Sequence, residues 1–367
     1  WTNPNCPLAA KKRELVVNWM EEYMDYGMML DIPTWTFQDP KAAKAANIHS
    51  YQDAVDATHI NARYYMANRR GNFKVLNVLQ GSNHDDADSW YEEFKDYCDP
   101  AKYPDTHFNG WAMGGQNMCD VHLILRRLVH MIHDGLLEEG LHDVMHFLGT
   151  SQLEWAVLLT DIQRAIRKYH NPNFTVTYDC ASPFLCTANG QQYTNWRLDH
   201  NGKWSYIMEP APDDKAFNKD TRPWDEECAK HHTNWNPSPL SKGLLVNDVC
   251  KYGPGDLNKN NKEGNTSWDS FSYFLMMNHN VYTHIKSVQE ANKAMDSGSY
   301  PNWLVHDTFD RQAVCEVIDR VFEIDDRDTA LDFIEQHQKL WMMVPGTRGA
   351  IGKKTVNASS QFNALFE

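Results

Sequence analysis

The chain has 367 residues, and 35 Lys and Arg against 49 Asp and Glu give a formal net charge of −14, which excludes a histone-like or polybasic nucleic-acid binder. Apolar residues make up 42% and aromatic residues 12%, enough for a sizeable core and too many for a disordered chain. No run approaches the ~20 apolar residues of a membrane span, so no membrane partner is expected. The eight scattered cysteines, with no leader pattern read ahead of them, are expected as reduced thiols of a cytoplasmic protein, host cytoplasm if phage-encoded. The start at Trp1 rather than Met is read as a loss of upstream residues.

From Lys11 the apolar residues Leu15, Val16, Trp19, Met20 and Tyr23 recur at helical spacing, and a short apolar stretch, Met28 to Leu30, follows and ends at Asp31. The same order repeats: helix 51–66 then strand 73–79, helix 90–98 then strand 108–113, helix 121–137 then strand 144–148, and helix 153–169 then strand 174–178. Short strands bounded by Gly or polar residues and alternating with helices predict parallel βα units. The strand ends are about 30 to 50 residues apart, near the repeat of a (β/α)8 barrel. A sixth strand is expected at Trp204 to Glu209, with the first strands upstream of residue 1. An open doubly wound sheet is the rival, weakened because no Gly-rich dinucleotide or Walker loop follows any strand.

After about Asp213 the texture turns to Trp, Asn, Pro, Lys and Gly without period. The expected organisation is therefore a barrel over 1–213, an inserted subdomain with the final barrel helix over 214–300, and a C-terminal helical extension over 301–367. The extension carries helices at 311–322 and 330–343 and a tail with Lys353 and Lys354.

Active sites of such barrels lie at the C-terminal ends of the strands. Here those ends carry Asp31, Gln80-Gly81, the Gly110 to Gly115 stretch, Gly149 and Asp179. An acid, an amide, close-approach glycines and a second acid suit a planar heterocycle with donors and acceptors. Turn formation and helix capping explain the same residues without any ligand.

Four strings, Val75-Leu-Asn-Val-Leu-Gln80-Gly81, Gly110-Trp-Ala-Met-Gly-Gly115, Met145-His-Phe-Leu-Gly149 and Val176-Thr-Tyr-Asp179-Cys180-Ala-Ser-Pro183, resemble in order and spacing the motifs of the tRNA-guanine transglycosylase superfamily. Asn278-His279-Asn280 is similar to that family's His-Asn-Leu helix. The resemblance implies that Asp179 attacks C1′ of a nucleotide, displaces guanine and forms a covalent glycosyl-aspartate. It implies a base pocket of Asp31 for the N1/N2 edge, Gln80 and the Gly110 amide for O6, and the Trp111 carbonyl, with Ala112 beside it, near the 7-substituent. The family's second catalytic Asp falls upstream of Trp1.

The family's structural zinc site implies Cys250 and His279 as ligands, but Leu245 and Asn247 stand where two further cysteines would be. Cys228, His231 or His232 are the residues that could complete a Zn2+ site. The missing cysteines, the Asn-rich insertion and the C-terminal helices place the resemblance nearer the phage and bacterial branch that inserts a free 7-deazaguanine base of the preQ0 type into DNA than the enzymes that modify tRNA. The alternatives are a tRNA-guanine transglycosylase and a non-catalytic nucleic-acid-binding partner subunit of one. Clusters at Arg69, Arg70 and Lys74, at Arg126 and Arg127, and at Arg164, Arg167 and Lys168 are the candidate phosphate contacts, as are Lys353 and Lys354. Some of the 13 tryptophans are candidates to stack on an extruded base.

Overall fold

The structure is a computed structural model and describes residues 6–199, 203–301, 304 and 314–347. They form two compact units, Trp1–Thr150 with Leu158–Asp179 and Trp303–Glu367, and Ser151–Val157 with Cys180–Asn302. The line expected at 213 falls inside the second unit. Among the described residues no helix is long and apolar enough to cross a membrane.

The first unit is built from βα repeats. In chain order they are α1 (Pro7–Tyr23), β1 (Tyr26–Met28), α2 (Pro40–Ala46), α3 (Tyr51–Asn68), β2 (Lys74–Leu79), α4 (His84–Phe94), β3 (Gly110–Met113), α5 (Val121–His133), β4 (Val144–Phe147), α6 (Leu153–Tyr169) and β5 (Thr175–Tyr178). The strands pair in parallel, in the order β1-β2-β3-β4-β5, as a curled half-barrel sheet. Five of the expected strands are therefore present in the expected order.

The pleat divides each strand between two faces. One face docks the helices: Trp90 on α4 donates its indole N–H to the Val78 carbonyl at 3.0 Å, Asn77 donates to the Phe94 carbonyl at 2.8 Å, and Trp111 donates to the Leu136 carbonyl at 2.8 Å. Both tryptophans are fully buried, and each large apolar side chain so placed contributes roughly 1.5–3 kcal/mol. With the indole N–H groups paired, that burial leaves no orphan donor. On the other face Leu76, Val78 and Ala112 form a small cluster with Met28, Val144 and Leu148.

Helix starts fix the loops at the C-terminal edge of the sheet. Asn83 caps α4 by accepting from the Asp86 amide, and Asp120 caps α5 by accepting from the Leu123 amide. The helices α11 (Val314–Glu323), α12 (Arg327–Gln336) and α13 (Gln338–Trp341) belong to this unit and pack against α5. His122 Nε2 meets Glu335 at 2.9 Å, Arg327 pairs with Asp134 at 3.2 Å, and the Val121 amide donates to the Thr347 hydroxyl at 3.2 Å. The segment expected as an appended extension thus packs, where described, as an outer layer of the first unit. The Arg311–Ala313 start of its first expected helix, and Lys353 and Lys354, lie outside the described residues.

The second unit holds α7 (Ser182–Ala188), β6 (Gln191–Arg197), β7 (Ser205–Pro210), α8 (Trp224–His231), α9 (Val246–Val249) and α10 (Ser270–Asp296). The strand expected at 204–209 exists as β7, but it pairs antiparallel with β6 instead of joining the parallel sheet. The antiparallel pairing follows from connection length: a parallel partner needs a crossover of about a dozen residues or more, and only Leu198 to Trp204 separate β6 from β7. A full eight-stranded barrel is not seen among the described residues.

Candidate functional site

Parallel register places the inner-face residues in rows. Leu76, Gly110 and Val144 share one row with Thr175; Val78, Ala112, His146 and Thr177 share the next. One step beyond the ladder, at the C-terminal rim, come Gln80, Gly114, Leu148 and Asp179.

Asp179 ends β5 with its side chain 64% exposed. His146 Nε2 lies 3.1 Å from Asp179 Oδ1, the Gly149 amide donates to the same oxygen at 3.0 Å, and His146 Nδ1 lies 2.9 Å from the Thr177 hydroxyl. The His146 bond, with the Gly149 amide, holds the Asp179 carboxyl below its usual range against the opposing effect of partial burial. An ionised carboxylate at the strand end, with both bonds on Oδ1, leaves Oδ2 outside those two contacts.

At the other side of the rim Gln80 Nε2 donates to Asp31 Oδ2 at 2.7 Å. Burial pushes the Asp31 carboxyl up to about 6, more than the Gln80 bond lowers it. Gln80 is 4% exposed, and its Oε1 is buried with no hydrogen-bond partner. Helix α3 and the turn after β3 hold the backbone of this pair: Asn61 donates to the Leu30 carbonyl at 2.9 Å, the Ile32 amide to Thr58 at 3.0 Å, and Asn117 to the Gln80 carbonyl at 3.1 Å. Gln38, Ser82 and Thr34 form a chain of side-chain bonds, with Gln38 Nε2 donating to the Ser82 hydroxyl at 2.6 Å and Ser82 to the Thr34 hydroxyl at 3.0 Å.

Glycine is required twice here. A Cβ on Gly114 would sit 2.6 Å from Gln80 Nε2. Gly115 has φ +55°, and a Cβ there would strike the Gly81 carbonyl. That carbonyl already accepts from the Gln116 amide at 2.8 Å, so the turn cannot retreat without breaking a hydrogen bond.

Of the residues singled out from sequence, Asp31, Gln80 and Asp179 therefore stand at the rim. Gly110, Trp111 and Ala112 do not. They lie inside β3, paired with both neighbouring strands, and Gly110 is four residues before Gly114, about 13 Å down the strand. The Trp111 side chain points to the helix layer and Ala112 belongs to the inner apolar cluster. Gly114 occupies the rim place that the sequence reading gave to Gly110.

His146 is a functional residue that the sequence reading misses, although it lies within the stretch Met145-His-Phe-Leu-Gly149. The signal available was its position two residues before Leu148 on a strand whose neighbour ends in Asp179.

Cys228, Cys250 and His279 all lie in the second unit. His279 Nδ1 meets the Ser238 hydroxyl at 2.8 Å and Nε2 meets the Tyr193 carbonyl at 2.9 Å, so both ring nitrogens are engaged. Cys228 accepts from Gln192 Nε2 at 3.3 Å, Cys250 Sγ faces the Pro212 carbonyl at 3.9 Å, and burial pushes both thiols up. A thiol in an apolar cluster is a poor thiolate ligand. His231 and His232 turn to Glu227 and Glu209. These residues do not fit a zinc site, and among the described residues no group of three or more His, Cys, Asp or Glu is arranged to hold a metal ion.

At least five of the eight described basic residues read as phosphate contacts have partners within the fold. Arg69 donates to the His107 carbonyl and Asn109, Arg126 and Arg127 pair with Asp88, Arg167 donates to the Phe174 carbonyl, and Lys168 pairs with Asp319. Arg69, Lys74 and Arg167 lie toward the N-terminal ends of β2 and β5, opposite the rim. No family model matches the chain, and no curated protein matches it significantly.

Proposed function

We propose that the protein is a base-exchange transglycosylase that replaces guanine in a nucleic acid, foremost DNA, with a 7-deazaguanine. What supports the reading is one observation above the others: an exposed carboxylate, Asp179, held ionised by His146 and the Gly149 amide, on the same strand-end rim as a carboxylate–amide pair, the half-buried Asp31 and the buried Gln80. The sequence motifs that resemble the transglycosylase family point to the same three residues.

In this reading Asp179 Oδ2 attacks C1′ while the C1′–N9 bond breaks and its electron pair leaves with guanine, which takes up a proton from solvent. The incoming deazaguanine gives up its N9 proton, attacks C1′ from the opposite side and returns the carboxylate, so two inversions give net retention. Asp31, ionised above about 6, accepts the N1–H and exocyclic N–H of the base. Gln80 keeps one Nε2 hydrogen on Asp31 and offers the other to O6. The base can reach this rim only by leaving its stack, at a cost of a few kcal/mol.

The test is incubation of the full chain with a labelled 7-deazaguanine and either duplex DNA, mismatched DNA or tRNA. Label appearing in DNA, faster at a mismatched guanine, supports the reading. Label in tRNA alone would move the substrate to RNA, and label in none of them would overturn the activity.

A further inference from the structure

The corner formed by β4 and β5 holds a three-residue chain in which the proposed reaction gives Thr177 no part and leaves the orienting role of His146 open. Thr177 Oγ1 lies 2.9 Å from His146 Nδ1, and His146 Nε2 lies 3.1 Å from Asp179 Oδ1. We infer that His146 is a positioning residue: Thr177 locks the imidazole so that its Nε2–H is presented to Asp179, and that bond fixes which carboxylate oxygen faces the substrate.

The argument begins with register. His146 and Thr177 are direct partners across the β4–β5 ladder, and Asp179 is the next residue on the same face of β5. The pleat alone therefore aims all three side chains into one corner. An ionised carboxylate only accepts, so the hydrogen shared by His146 and Asp179 resides on Nε2; in the neutral ring Nδ1 is then the acceptor, and the Thr177 hydroxyl supplies its hydrogen.

The imidazole has little freedom to choose otherwise, because His146 is 9% exposed. The facing positions on its neighbours carry no competing charge: Ala112 is its register partner on β3, and Gly114 and Leu148 occupy the rim row. Among the inner-face residues of β3, β4 and β5, His146 and Asp179 are the titratable pair.

The consequence is orientational. With the Gly149 amide also on Oδ1, two donors converge on one oxygen from two different segments, β4 and the turn that follows it. The carboxylate is pinned about its terminal torsion, which is otherwise broad and nearly two-fold. Oδ2 is then held in one direction, as an in-line attack requires, and small misplacements of a reacting group cost about 10²-fold in rate. During that attack the carboxylate becomes an ester and its charge falls, so the Nε2–H bond weakens and then recovers when the second base restores the carboxylate. His146 gives up no proton in either step. What the carboxylate does to substrate rests on the transglycosylase reading; the locked chain does not.

Two spectroscopic measurements on the full wild-type chain and its variants test the inference without any assay. Long-range ¹H–¹⁵N spectra should find His146 as the Nε2–H tautomer in wild type, and an Asp179→Ala variant, which removes the acceptor at Nε2, should lose that preference. Carboxyl-¹³C titration should find Asp179 below the usual carboxylate range, rising by about one pH unit in His146→Phe, with most of the shift recovered in His146→Gln, which restores an N–H donor. In the exchange assay His146→Phe should lower kcat about 10- to 100-fold with little change in KM, and His146→Gln should regain part of it. An Nδ1–H tautomer in wild type, or an Asp179 titration unmoved by His146→Phe, would overturn the inference. Absence of exchange in every form, with both spectroscopic results as expected, would count against the transglycosylase reading and leave the chain of bonds established.

Discussion

Asp31 stores a cost that one substitution can release. Its carboxyl is raised from an ordinary 3.8 to about 6, with burial as the largest cause. Two pKa units correspond to about 3 kcal/mol of preference for the neutral form. Between these two values the folded protein holds a proton that the unfolded chain has released, so stability falls as pH rises through that window and levels off above about 6. At neutral pH the folded state therefore carries a half-buried, partly desolvated carboxylate at a cost of up to about 3 kcal/mol.

Asp31→Asn removes the charge and keeps the shape. Its oxygen can still accept from Gln80 Nε2, which lies 2.7 Å from Asp31 Oδ2. The variant should match or fall slightly below wild type near pH 4 and exceed it by about 1–3 kcal/mol near pH 8, while losing guanine exchange because the amide presents a donor where the base needs an acceptor. The assay is urea denaturation of both proteins at several pH values, compared by midpoint and slope. Stability curves that run parallel across that range would refute the reasoning, because they would mean that Asp31 pays no desolvation cost in the folded state.

The other predictions concern the nucleophile, the turn and the second unit. Asp179→Asn should abolish exchange, by about 10⁴-fold or more, and leave the circular dichroism spectrum unchanged, since the side chain is exposed and caps no helix; near wild-type exchange would remove Asp179 from the chemistry. Gly115→Ala should destabilise by at least about 2 kcal/mol, because φ +55° is unfavourable for alanine and its Cβ meets the Gly81 carbonyl, and a thermal midpoint equal to wild type would contradict the turn as described. Chelator should leave the thermal midpoint unchanged, whereas His279→Ala should cost about 2–4 kcal/mol by stranding the Ser238 hydroxyl and the Tyr193 carbonyl; close to one equivalent of zinc in protein purified without chelator would overturn this account of Cys228, Cys250 and His279.

These predictions also separate what sequence spacing can carry from what it cannot. The five parallel strands are legible because each is a short apolar run closed by Gly or a polar residue and followed by a helical period, a signal local to some 40 residues. β6 is not legible: Gln191, Gln192, Thr194 and Asn195 lack an apolar alternation, and that strand is held by its ladder with β7 and by distant side-chain bonds such as the Tyr193 amide to Asn280 Oδ1 at 2.8 Å. Asp31, Gln80 and Asp179 could be read as strand-end residues, since a strand end is visible locally. The misplacement of the pocket glycine has a different origin. Gly110 and Gly114 belong to one string, and only the register Leu79–Met113–Phe147–Tyr178 decides which of them stands at the rim.

His146 is the sharper case. Sequence places it 33 residues from Asp179 in a strand that also reads as core, and a histidine inside an apolar strand ordinarily satisfies itself on nearby backbone. Its partners are set by strand order and register, both of which are properties of the assembled sheet. A one-residue slip of β5 against β4 would turn Thr177 and Asp179 to the helix-facing side and leave His146 with neither. The same apolar residues that fix register, Val144 and Leu148 inward and Met145 and Phe147 outward, therefore also fix the chemistry of the corner. Core packing and the candidate site are thus specified by one alternation on β4. A substitution such as Phe147→Ser, remote from any ligand, should accordingly disturb the Asp179 titration as well as the stability.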